Sequence, residues 1–114
     1  MTAVVLVRAE DGTFASLEAK GHAGTAVRGF NVVCAAVTML LRTSLDVLEH
    51  TDGISVKSEA PERGMLSFCV EANGASLTEE QKVRLSCVAD YLELGLKALC
   101  KEYPKDVSLE TVIR

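Results

Sequence analysis

"TFASLEAKGHAGTAVRGFNVVCAAVTMLL", residues 13–41, changes its period partway along, and that change decides the fold. From Thr13 to Lys20 apolar and polar side chains alternate, with Ala15, Leu17 and Ala19 on one face, the period of a half-buried strand. From Val32 onward the apolar positions recur at three- and four-residue spacing: Val33, Ala36, Val37, Leu40, Leu41, Leu45 and Leu48. That is one stripe of an amphipathic helix, and it fades near Glu49-His50, before the Asp52-Gly53 turn. Between strand and helix lies a segment punctuated by Gly21, Gly24 and Gly29, residues that let a chain double back.

Working outward, Ala3 to Val7 is a β-branched apolar run, and Asp11-Gly12 is a hairpin signal joining it to the strand above. Ile54 and Val56 mark a third strand. A turn around Pro61 and Gly64 leads to a fourth, in which Leu66, Phe68 and Val70 share a face. After Asn73-Gly74, Thr78 with Gln81 three residues on has the form of a capping box. The stripe Leu85, Val88, Ala89, Leu92, Leu96 and Leu99 then predicts a second helix, ending near Tyr103-Pro104. Val107, Leu109 and Ile113 alternate as a last strand. The order ββαββαβ implies an α+β fold, two helices packed on a largely antiparallel sheet. Residues 1–114 read as a single domain, with no internal linker and no sequence repeat between the two ββα halves.

The chain has 114 residues, of which 48 % are apolar and 25 % charged, a globular composition. Twelve Lys and Arg against 16 Asp and Glu give a net charge of −4, and no basic cluster occurs. A nucleic-acid binder built on phosphate contacts is therefore not expected. The N-terminus is apolar early and charged late, the reverse of a secretory signal. The longest apolar run, residues 32–41, is too short to cross a bilayer. A cytoplasmic protein with reduced thiols and no membrane partner is the expectation. Cys34, Cys69, Cys87 and Cys100 contain no Cys-x-x-Cys pair, a spacing that does not resemble a zinc site, although distant ligands can still converge.

Cys34 stands out by position. With Asn31 as N-cap it occupies the first helical turn, where unpaired N–H groups and the helix dipole favour negative charge. A thiol in that setting tends toward thiolate. His22, twelve residues earlier at a strand exit, can meet it if the glycine-rich loop turns back, and would then serve as its base. The competing reading is ordinary: "VVCAAV" is typical helix core, and a histidine in a glycine turn is commonly a rim residue. Residue physics leaves both open. Cys69, Cys87 and Cys100 read as inert packing residues, His50 as a partner of a helix C-terminus, and Glu79 and Glu80 as solvated helix-start charges. Cys34 and Arg42 are too far apart for the Cys-x5-Arg loop of cysteine phosphatases, and the glycine segment lacks the Lys-Ser/Thr of a P-loop. On the second helix, Val83, Cys87, Tyr91 and Leu94 lie off the main stripe. They are either buried between two layers or the seam of a homodimer.

Taken whole, "GHAG....GFNVVCAAVT" resembles the signature of the bacterial ribosomal-processing cysteine protease family: Gly-His-Ala, a spacer, then Gly-x-Asp-x-Val-Cys-Ala-Ala-Val-Ser. Gly21, His22, Ala23, Gly29, Val33, Cys34, Ala35, Ala36 and Val37 match. The resemblance implies an endopeptidase that removes an N-terminal extension from the twenty-seventh protein of the large ribosomal subunit, cutting after an aromatic residue. It implies a dyad of Cys34 as nucleophile and His22 as general base, with no metal or organic cofactor. It also implies a substrate-binding segment containing Gly21, Ala23, Gly29, Asn31 and Thr38. The expected partners are the precursor's N-terminal peptide and a second copy of the chain. Two positions depart: the family's Asp is Asn31 here, and its Ser is Thr38. Both keep a hydrogen-bonding group, but Asn31 lacks the charge, which removes support for an imidazolium while easing formation of a nearby thiolate. A non-catalytic ribosome-associated binding module is the alternative reading. A redox-sensing thiol would need a resolving cysteine that the sequence does not place close to Cys34.

Overall fold

The computed structural model describes residues 1–21, 32–62, 64–71 and 76–114. Its elements are β1 (Thr2–Arg8), β2 (Phe14–Lys20), α1 (Val32–Glu49), β3 (Val56–Glu59), β4 (Met65–Val70), α2 (Glu79–Glu102) and β5 (Val107–Ile113). This is the expected ββαββαβ order. The strands form one five-stranded sheet in the order β3-β4-β2-β1-β5. The pairings β1–β2, β2–β4 and β3–β4 are antiparallel, whereas β1 and β5 run parallel, from Thr2 beside Val107 to Arg8 beside Ile113. The sheet is thus mixed, and mostly antiparallel as anticipated.

Alternation along the strands separates the faces. Val4 and Leu6 of β1, Leu17 and Ala19 of β2, Phe68 of β4 and Val107 of β5 are buried, and they join α1 and α2 in the apolar core. One inward residue differs from the expected alternation. Phe14 is buried, and Ala15 is only partly so, because the register shifts at Val7/Arg8: Val7 pairs with Ser16 but Arg8 with Phe14. This bulge leaves Ala15 unpaired and turns the large ring inward, where it stacks on Phe68 with centroids 5.5 Å apart. The Asp11-Gly12 hairpin is held by Asp11, whose carboxylate accepts from the Thr13 hydroxyl at 2.7 Å and from its N–H at 3.1 Å. Arg8 caps the same turn, donating through Nε and Nη2 to the Gly12 carbonyl while pairing with Asp90 of α2 at 2.8 Å.

On α1 the buried residues are Val33, Val37, Leu41, Ser44, Leu45 and Leu48, and on α2 Leu85, Val88, Ala89, Leu92 and Leu96. Ala36, Leu40 and Leu99, expected in the stripes, lie at their half-buried margins. The capping box at Thr78 is present: the Thr78 hydroxyl accepts from the Gln81 N–H at 3.1 Å, and Gln81 Oε1 from the Thr78 N–H at 2.9 Å. Gln81 Nε2 also donates to the Asp52 carbonyl, and Arg84 to the Thr51 hydroxyl, so the start of α2 is tied to the end of α1. Farther along, Leu40 lies against Gly95, where a larger residue would strike it. These contacts set the helices antiparallel, side by side on one face of the sheet.

Two expectations on α2 are corrected. Val83, Tyr91 and Leu94 are 67 %, 49 % and 69 % exposed, so they are not buried between layers. Cys87 is exposed with them rather than packed. The helix rests on the sheet through one stripe, and these four lie on the opposite, outward side. Cys69 and Cys100 are half-buried; Cys100 packs against the core, and its burial pushes the thiol pKa up. Glu79 and Glu80 are exposed in the first turn of α2 as expected, and His50 Nδ1 lies 2.7 Å from the Asp46 carbonyl at the end of α1.

Candidate active site

Helix α1 starts at Val32, so Cys34 falls in its first turn, as the apolar stripe implies. The residues His22, Ala23, Gly29 and Asn31, and with them the proposed cap and the meeting of imidazole with sulfur, lie outside the described residues. What is described is the wall on which such a site would be built. Cys34 is half-buried, touching the core on one side and opening on the other into a cavity of about 280 Å³. Cys34 is thus a core-margin residue, packed against the core yet partly exposed.

That cavity is lined along α1 by Cys34, Val37, Thr38, Leu41 and Arg42, which is just over two turns of one helix face. Across from them stand the end of β2 (Ala19 and Gly21), the start of β1 (Thr2) and the start of β4 (Gly64, Met65 and Leu66). Of the sequence-predicted site residues, Cys34, Gly21 and Thr38 therefore share one cavity. Thr38 is exposed one turn beyond Cys34.

Gly21 is the hinge of this wall. It has φ +96°, a backbone that side-chain-bearing residues rarely adopt, and a Cβ there would collide with the Met1 carbonyl oxygen. Its N–H donates to the Gly64 carbonyl at 2.8 Å, and its carbonyl accepts a long, 3.5 Å bond from the buried Thr2 hydroxyl. Register does the rest. Lys20 pairs with Met65 and Ala19 with Leu66, so the exit of β2 and the entry to β4 are fixed side by side. His22 follows Gly21 directly in the chain. Gly21 thus sets where the histidine segment leaves the sheet, on the rim of the cavity that holds the cysteine.

Sequence reading missed Thr2, Gly64, Met65 and Leu66, because nothing local shows that β4 lies beside β2. Arg42 had a usable signal: it stands four residues after Thr38 and eight after Cys34, on the same helix face. Among the described residues no group of three or more His, Cys, Asp or Glu is placed to share a metal ion, and no helix is long and apolar enough to cross a membrane.

The sequence model of a family described as cysteine protease Prp matches residues 1–108. No curated protein matches the chain. Among solved structures, SMU.848 from Streptococcus mutans superposes with a TM-score of 0.78 at 23 % identity, covering 100 % of this chain and 96 % of that one. The essential ribosomal processing protease Prp from Staphylococcus aureus, in complex with a covalently linked product peptide, gives 0.77 at 15 % identity, with 97 % and 99 % covered. The same protease with a substrate peptide gives 0.74 at 14 %, with the same coverage. At these identities the likeness is one of fold, and it extends over essentially the whole chain.

Proposed function

The chain belongs to the cysteine protease Prp family, and on that premise we propose that it removes the N-terminal extension of the twenty-seventh protein of the large ribosomal subunit, cutting after an aromatic residue, with Cys34 as nucleophile and His22 as general base. The observation that carries the assignment is the place of Cys34: first turn of α1, lining a cavity that Gly21, the residue preceding His22, lines as well.

In this reading His22 takes the Cys34 proton, and the thiolate attacks the scissile carbonyl carbon to form the C–S bond. The carbonyl oxygen becomes an oxyanion beside the unpaired N–H groups of the helix start. When the C–N bond breaks, the imidazolium gives its proton to the leaving amine, and a thioester remains. Water, deprotonated by His22, then releases the carboxylate product and restores the thiol. Gly21, Ala23, Gly29, Asn31 and Thr38 serve the bound peptide, Thr38 as a hydroxyl one turn beyond the nucleophile. Asn31 lacks the charge that the family's Asp carries.

The test uses a peptide spanning the extension junction of the host's own ribosomal protein. Cys34→Ala and His22→Ala are expected to abolish cleavage while leaving the circular dichroism spectrum unchanged. Cleavage at the wild-type rate by either variant refutes the dyad. The enzyme acts in the cytoplasm as one domain and as a homodimer. The outward stripe Val83, Cys87, Tyr91 and Leu94 supports the dimer, since a run of exposed apolar groups at helical spacing suits a self-complementary seam. Leu94→Glu should then lower the mass measured by light scattering to that of one chain, and an unchanged mass refutes the seam.

A further inference from the structure

The cavity that holds Cys34 carries one charge among its described lining residues, and the reaction above does not use it. Arg42 stands at its α1 wall, and among the described residues no carboxylate lines the cavity with it. Among the described residues, two other arginines are committed: Arg8 to Asp90, Glu93 and the Gly12 carbonyl, Arg84 to the Thr51 hydroxyl. Arg42 is exposed and forms no ion pair among the described residues. Its guanidinium has five donors, never deprotonates and fits carboxylates and carboxamides in a fork.

Position along the helix says which part of a peptide it would meet. Eight residues separate Cys34 from Arg42, which at 1.5 Å per residue is about 12 Å. An extended peptide advances about 3.3 Å per residue. With its reacting carbonyl at Cys34 and its chain along the groove, its third or fourth residue from the cleaved bond lies opposite Arg42. Between the two, Val37, Leu41, Ala19 and Leu66 form an apolar floor for an intervening side chain.

We propose that Arg42 is a specificity-determining residue of this protease, selecting a peptide with a hydrogen-bond-accepting side chain, Glu or Asp before Gln or Asn, three or four residues from the scissile bond, and rejecting Lys or Arg there. This rests on the peptidase reading and adds the substrate chemistry. The cation binds its acceptor alike in ground and transition states, so its effect lies in KM, with kcat little changed.

The experiment uses fluorogenic peptides with an aromatic residue before the cleaved bond and Glu, Gln or Lys at the third and fourth positions on either side. For the wild-type chain kcat/KM should fall from Glu through Gln to Lys at one of those positions, by about 10-fold overall, the weight of one charge-assisted contact. Arg42→Gln should flatten the order, and Arg42→Glu should reverse it. Binding of the same peptides to Cys34→Ala protein, with and without Arg42→Gln, gives a readout independent of turnover, and the same ranking is expected there. Equal preference in wild type and Arg42→Gln overturns the role of Arg42 while leaving the peptidase intact. Wild-type protein that neither cleaves nor binds any of these peptides overturns both.

Discussion

Replacing Gly21 with alanine probes the wall of the site directly, and Gly12 provides the internal reference. Both residues have positive φ, +96° and +90°, so alanine at either is forced into a sparsely populated backbone region, at a cost of about 1–3 kcal/mol. They differ in surroundings. A Cβ on Gly12 would meet only Arg8 Nη2, at 3.6 Å and at the end of a flexible side chain, whereas one on Gly21 would overlap the Met1 carbonyl oxygen. Backbone cannot swing aside as a side chain can, so the overlap adds about 1–3 kcal/mol of overpacking. Gly12→Ala should therefore cost about 1 kcal/mol and Gly21→Ala about 3. An unfolding entropy of about 2.1 cal/mol/K per residue gives about 0.24 kcal/mol/K for 114 residues, so Tm should fall by about 4 °C and about 12 °C respectively. Differential scanning calorimetry measures both. Because Gly21 also fixes the departure of the His22 segment, its variant should lose peptide cleavage at temperatures where it is still folded, and Gly12→Ala should not. Equal Tm losses, or a Gly21→Ala protein with full activity, would refute this account of the hinge.

Ser44 is buried in α1 with a hydroxyl that has no hydrogen-bond partner among the described residues. Ser44→Ala removes that unpaired group and improves helix propensity, and should raise stability by about 1 kcal/mol in urea unfolding; a loss of stability would contradict it. The Thr13 hydroxyl and N–H hold the Asp11 carboxyl below its ordinary pKa. A lowered carboxylate stabilises the fold above its unfolded pKa and ceases to do so as pH falls through the folded one. The stability gap between wild type and Asp11→Asn should thus be full at pH 7 and close as pH falls below the ordinary aspartate range, and a gap independent of pH refutes the linkage. In a Cys34→Ser background at dilute protein, maleimide at pH 8 should modify exposed Cys87 before Cys100, whose thiol is raised by burial; equal rates would contradict that difference.

What the sequence discloses here is mostly what is local. The change of period at Val32, the Thr78 capping box and the Asp11-Gly12 turn are each decided by neighbours within a few residues, and each element begins where those signals put it. Burial of Phe14 in place of Ala15 was not legible, because a bulge depends on how two strands are paired. The same holds for Met65 beside Lys20, which places β4 at the site. For the outward stripe of α2, apolar content could not distinguish covered from uncovered, since both give the same spacing. Within the site, the helix start and the face shared by Cys34 and Thr38 were readable from three- and four-residue spacing. The cavity across from them was not, because it is made by strand order.

The parallel pairing of β5 with β1 has a bearing on when this enzyme comes into being. Val107 lies beside Thr2, about a hundred positions away in the polypeptide, so the outer side of β1 is covered by an edge strand synthesised long after it. Until it arrives, one edge of β1 has no backbone partners, and Val4 and Leu6 have an incomplete cover. A partly made or clipped polypeptide is then a sticky intermediate rather than a slow hydrolase.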